Sequence, residues 1–203
     1  MSSRGSILPA LVLTVLLLSV SCAYYNTFYN ARESYKEAME LARQNPDDPV
    51  SMEEQLLDRA ISGAARVLSI YPESKWADDA QLLLGDALLQ SGRRTLTGSG
   101  TSDFNEAMMA YSSAVIMTES RDVRDRANIG MGLAAMELER YNDAVASFRS
   151  VSDEDDKLYV ISRLYLMEAM LLDRRPDAAL QVADSLERPG DDSLAAELTL
   201  LTG

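Results

Sequence analysis

One recurrence restricts the fold of this chain more than any other feature. Phe104 and Tyr141, Ala107 and Ala144, and Tyr111 and Phe148 are pairs of similar residues 37 positions apart. Gly85 and Gly132, and Ala60 and Ala107, are 47 apart, while Ala144 and Ala179 are 35 apart. The extra ten positions fall in residues 92–103, GRRTLTGSGTSD, whose composition reads as a flexible inserted loop. A period of 35–37 residues accommodates two helices and their turns. It signals stacked helical hairpins, each burying its apolar face against the next.

The segments around these markers suit helix. Ala, Leu, Met, Glu and Arg dominate them, and the 203 residues include only 6 prolines and 10 glycines. Apolar spacing and breakers predict helices over residues 24–44, 51–70, 75–90, 104–118, 122–139, 141–151, 157–173 and 177–187. The prolines of NPDDPV at 45–50, Pro72, Pro176 and Pro189 separate them. Ser51 and Glu54 form a capping-box pattern. The acids at 153–156 fit a helix start better than a metal site. Residues 193–201 suit one more helix, which either caps the fourth hairpin or leads into further repeats. The expected fold is all-α: an α-solenoid of about four hairpins plus a short C-terminal helix.

Composition then removes whole classes of function. With 47% hydrophobic and 25% charged residues the chain is globular, and a formal net charge of -13 argues against nucleic-acid binding. There is no histidine, which removes Ser-His-Asp and Cys-His catalysis and every histidine-containing metal site. A single cysteine, Cys22, forms neither an intrachain disulfide nor a thiolate metal cluster. No catalytic residue, metal, cofactor or small-molecule substrate is therefore expected. A carboxylate-dependent hydrolase is the alternative of another class. It needs two acids facing each other across a cleft, whereas the acids here are accounted for by helix starts and exposed faces.

The N-terminus reads as an export signal. Arg4 precedes an apolar run at residues 7–20, which is short for a spanning helix of about 20 residues and suits a signal-peptide core. An ordinary cleaved signal and an uncleaved anchor are alternatives. Small residues followed by a cysteine, Ser21 and Cys22, resemble the signal of bacterial lipoproteins, although Ser19 stands where that pattern prefers leucine. The resemblance implies removal of residues 1–21, lipidation of Cys22, and a mature domain at 22–203 held on the membrane by acyl chains. Ala23, where an aspartate would imply inner-membrane retention, implies the outer membrane, with the domain facing the periplasm.

The hairpin markers resemble tetratricopeptide repeats. Leu84-Gly85 and Met131-Gly132 match the first-helix pattern, Phe104 and Tyr141 the aromatic before the second helix, and Ala60, Ala107, Ala144 and Ala179 the close-crossing alanine. Tyr111 and Phe148 match the aromatic one turn later, and Pro72 the terminal proline. That proline is missing near Glu119 and Asp156, and Ala64 and Ala183 replace the aromatic in the outer units. Small residues let helices cross closely and aromatics fill the gap between hairpins, so Gly85 is expected to face Ala107.

In that family the first helices line a concave face. The resemblance thereby places Asp79, Leu82, Asp86, Leu89, Ile129, Leu133, Met136 and Leu164 toward a partner groove, with core packing as the competing reading for several. An apolar groove with acidic points suits an amphipathic helix or extended peptide bearing positive charge. The rings of Tyr25, Phe28, Tyr29 and Tyr35 either pack the first helix or form an interface.

Together with the junction YPESKWADDA, these features resemble the BamD type of outer-membrane lipoproteins. The resemblance implies a non-catalytic, lipid-anchored envelope scaffold that binds protein partners, with outer-membrane protein assembly as the role. A repeat lipoprotein serving cell division or envelope maintenance is the alternative.

Overall fold

The computed structural model describes residues 7–44, 51–94 and 100–186. Among the described residues it is all helical: α1 (Ile7–Gln44), α2 (Ser51–Ile70), α3 (Ala77–Arg94), α4 (Gly100–Met117), α5 (Arg121–Glu137), α6 (Tyr141–Arg149), α7 (Asp156–Leu172) and α8 (Pro176–Leu186). Consecutive helices pack as four hairpins, α1–α2 to α7–α8, each leaning on the next. The backbones of α1 and α3, α3 and α5, and α5 and α7 come close, whereas among the described residues those of the second helices do not. A stack whose first helices converge and whose second helices diverge is curved. The result is an all-α solenoid with α1, α3, α5 and α7 on its inner side. The expected helix at 193–201 lies outside the described residues.

The repeat markers are packing positions. Ala60, Ala107 and Ala144 are wholly buried and Ala179 nearly so, and Tyr111 and Phe148 are wholly buried. Gly85 does not face Ala107 as expected. A Cβ on Gly85 would stand 2.7 Å from the ring of Tyr111, and one on Gly130 would stand 2.3 Å from Cζ of the same ring. The phenol of Tyr111 is thus wedged between α3 and α5. Gly132 faces Phe148 in the same manner, at 2.4 Å. An alanine methyl is too short to reach across such a crossing, and a planar ring fills it.

The inserted loop is shorter than its composition suggests. α3 runs on to Arg94 and α4 starts at Gly100, so residues 92–94 and 100–103 are helical. The glycines there serve close approach. A Cβ on Gly92 would lie 2.5 Å from the Phe104 ring, and one on Gly100 would lie 2.6 Å from the Gly92 carbonyl oxygen. At the other end of the chain α1 begins at Ile7, well before residue 24. The apolar run has no glycine, and its one proline, Pro9, falls in the first turn, where a missing N–H costs little.

Two turns lack the expected proline and are held by side chains. The Thr118 hydroxyl donates to Asp78 Oδ2 at 2.6 Å, and Arg124 Nη2 donates to the Thr118 carbonyl at 2.8 Å. One unit later the Ser152 N–H donates to Asp125 Oδ1 at 3.1 Å, its hydroxyl donates to Oδ2, and Arg163 Nη2 donates to the Phe148 carbonyl at 2.9 Å. Asp78 and Asp125 are 47 residues apart, the same spacing as Gly85 and Gly132. Within hairpins three and four, Glu139 and Arg174 take the left-handed conformation at φ 57° and 58°. Each allows the next N–H, of Arg140 and Arg175, to reach back to Ala135 and Met170 at 2.8 Å. Asp155 caps α7 by accepting from the Leu158 N–H at 3.0 Å, in keeping with a helix start at the acidic run.

The aromatic residues of α1 divide. Phe28 is buried and stacks on Trp76 with ring centres 6.0 Å apart, and Tyr35 is half-buried, while Tyr29 is exposed. Among the described residues no helix is long and apolar enough to cross a membrane.

Candidate binding groove

The inner side of the solenoid holds a cavity of about 250 Å³. Three helices line it with the same register. α3 contributes Asp86, Leu89, Gln90 and Arg93; α5 contributes Arg126, Ile129, Gly130 and Leu133; α7 contributes Leu158, Ile161 and Tyr165. Each set follows an i, i+3 or i+4, i+7 pattern, which keeps side chains on one helix face. Tyr35 of α1 closes one end, and Tyr111 reaches the floor from behind, out of α4.

That last contact depends on the wedge. Because neither Gly85 nor Gly130 carries a side chain, the Tyr111 ring fits between α3 and α5 and its hydroxyl, itself buried, reaches the concave side from beneath. There it donates to Asp86 Oδ1 at 2.9 Å. A residue on the outer helix of hairpin two thus supplies a polar group to the inner groove.

The electrostatics follow from burial. Burial is the main cause pushing the half-buried Asp86 carboxyl above its ordinary range; the Tyr111 hydrogen bond and the charge of Arg126 oppose it. Tyr111 is raised well above the usual phenol, first by burial and then by the charge of Asp86. The same two causes, in the same order, raise Tyr35. Asp79 lies further along α3. Its carboxyl is also raised, by burial and by Asp78, with Arg126 and Arg32 opposing. Arg93 is engaged with Glu137, Nε to Oε1 2.6 Å, and Arg126 stands 3.8 Å from Asp122.

Of the residues expected on the groove, Asp86, Leu89, Ile129 and Leu133 line this cavity. The other four do not. Leu82 is only 3% exposed and belongs to the core cluster that includes Val123 and Ala127 of α5. It offers no surface to a partner, and neither does Leu89, which borders the cavity but is equally buried in the same cluster. Met136 packs against the cluster around Phe148 and Leu166, as Ile129 and Leu133 also do, but lies outside the cavity lining. On α7 the lining residue is Tyr165 rather than Leu164, one position and so about 100° of helix away. Asp79 is half-buried beyond the cavity. Cys22 lies within α1 ahead of the first described side chain, Asn26.

Sequence reasoning missed Tyr35, Arg93, Tyr111, Arg126 and the α7 residues. For Arg93 and Arg126 a signal was available: they sit seven residues after Asp86 and seven before Leu133, on the same faces. For Tyr111 there was none, since its marker position indicates outer-helix packing. The basic pair also modifies the expected picture of a groove that is apolar with acidic points only.

Among the described residues no group of acids and cysteines is arranged to hold a metal ion. Compared with known proteins, the chain matches no family model, no curated protein and no solved structure.

Proposed function

We propose that this chain is a non-catalytic scaffold of the bacterial envelope. It is anchored by acyl chains on Cys22 in the outer membrane, faces the periplasm, and binds protein partners along the concave side of its repeats. Outer-membrane protein assembly is the role it serves on this reading. The observation that carries the binding function is the cavity lined in one register by α3, α5 and α7, with apolar walls and a few convergent polar groups. The envelope location rests on the resemblance of residues 1–22 to lipoprotein signals, and the assembly role on the resemblance of the whole to BamD-type lipoproteins.

The arrangement of the groove acids favours binding over hydrolysis. Asp79 and Asp86 are seven residues apart on one helix, about 10.5 Å along its axis. Asp79 lies beyond the cavity, so Asp86 is the one acid that lines it among the described residues. A glycan-cleaving pair would flank a bond from opposite sides, at about 5–9.5 Å.

Two measurements test the proposal. A fatty-acid analogue should label the wild-type chain and not Cys22→Ala; equal labelling of both sinks the anchor. Affinity capture from detergent-solubilised membranes should recover barrel-assembly components. Recovery of division proteins in their place would refute the assembly role and favour envelope maintenance.

A further inference from the structure

The geometry points to Asp86 as the recognition point for a basic side chain, lysine or arginine, that a groove-bound partner segment inserts between α3, α5 and α7. This rests on the groove-binding reading and narrows it to a partner of stated chemistry.

Among the described residues the Asp86 carboxylate has one donor, the Tyr111 hydroxyl on Oδ1. Among the described residues no lysine or arginine forms an ion pair with it, and the two nearby guanidinium groups are directed elsewhere, Arg93 to Glu137 and Arg126 toward Asp122. A half-buried carboxylate with no direct ion pair, its charge offset only in part by Arg126 and the Tyr111 hydroxyl, weakens the fold that holds it. An incoming ammonium or guanidinium would satisfy it with a charge-assisted hydrogen bond at a half-buried site.

The surroundings suit such a group along its length. Ile129 and Leu133 line the same cavity with part of their surface free and would pack the methylene stem. Of the charged residues lining the cavity, Arg93 and Arg126 each face an acid of their own, Glu137 and Asp122, which leaves Asp86 as the lining charge without an ion pair among the described residues. A cavity of about 250 Å³ falls below the roughly 300–1,000 Å³ of small-molecule sites, and an inserted side chain matches it better than a free ligand does.

The test uses the full chain in detergent and an array of amphipathic helical and extended peptides. Each peptide is made with lysine, arginine, norleucine or glutamate at its centre. The wild type should prefer the basic versions over norleucine by about tenfold, the effect of one charge-assisted hydrogen bond. Asp86→Asn still accepts from Tyr111 and should erase that preference while melting no lower than the wild type. Tyr111→Phe keeps the charge and should retain it. Equal affinity for lysine and norleucine in the wild type, or a preference that survives in Asp86→Asn, overturns the proposal and leaves groove binding standing. Failure of every peptide to bind overturns the groove reading together with the proposal.

Discussion

Asp86 is a residue whose local environment works against its charge. Its carboxyl is raised by burial, so its ionisation costs the folded state free energy above the folded-state pKa. As pH falls through that value the folded chain takes up a proton before the unfolded chain does, and the cost disappears. Asp86→Asn should therefore be at least as stable as the wild type at pH 7. The difference in urea midpoint between the two should shrink on acidification toward the ordinary carboxylate range. A difference independent of pH would contradict the assignment. The glycines opposite Tyr111 make a second case at this scale. Gly130→Ala puts a methyl into the phenol ring and should destabilise the chain by about 1–3 kcal/mol. In a Tyr111→Leu background most of that loss should vanish, which a double-mutant cycle of denaturant midpoints measures. Additive losses would show that the ring is not what the glycine accommodates.

The hairpin is the unit in which local signals and tertiary ties meet. Element type and order were legible from apolar spacing and breakers, because an amphipathic helix encodes its buried face in its own sequence. The ends were less so. α3 and α4 extend past their expected limits since Gly92, Gly100 and Phe104 interlock across helices, a contact no local propensity reports. The turn ties were invisible for the same reason: Asp125 is 2% exposed and receives two hydrogen bonds from Ser152, 27 residues further along the chain, at the far end of the hairpin. Asp125→Ala should cost about 2 kcal/mol, as expected for losing hydrogen bonds to a buried charge, with the loss read from chemical denaturation. An effect under about 0.5 kcal/mol, the range of an ordinary surface change, would mean that the tie is incidental.

For the whole molecule, stability is a sum of hairpins and the interfaces between them. Tyr111 belongs to hairpin two, yet it fills the seam with hairpin three and delivers a hydroxyl to the groove. Tyr111→Ala should cost about 3–5 kcal/mol and split the cooperative unit. In hydrogen exchange followed by mass spectrometry, α5–α8 should then open separately from α1–α3. Uniform loss of protection along the chain would contradict this. The sequence by itself determined the all-helical class, the hairpin period and the small and aromatic residues that mark each crossing. These follow from spacing along the chain, which a regular helix converts directly into faces. Only the tertiary structure decided which of the inward faces stay open. Leu82 carries helical spacing as suitable as that of Ile129 and Leu133, but it is buried in the core while those two keep part of their surface in the cavity. A Tyr from an outer helix reaches the groove because two glycines on different helices leave it a passage. Cavities form where several elements fail to fill the space between them, and that is a property of their joint packing that no single segment encodes.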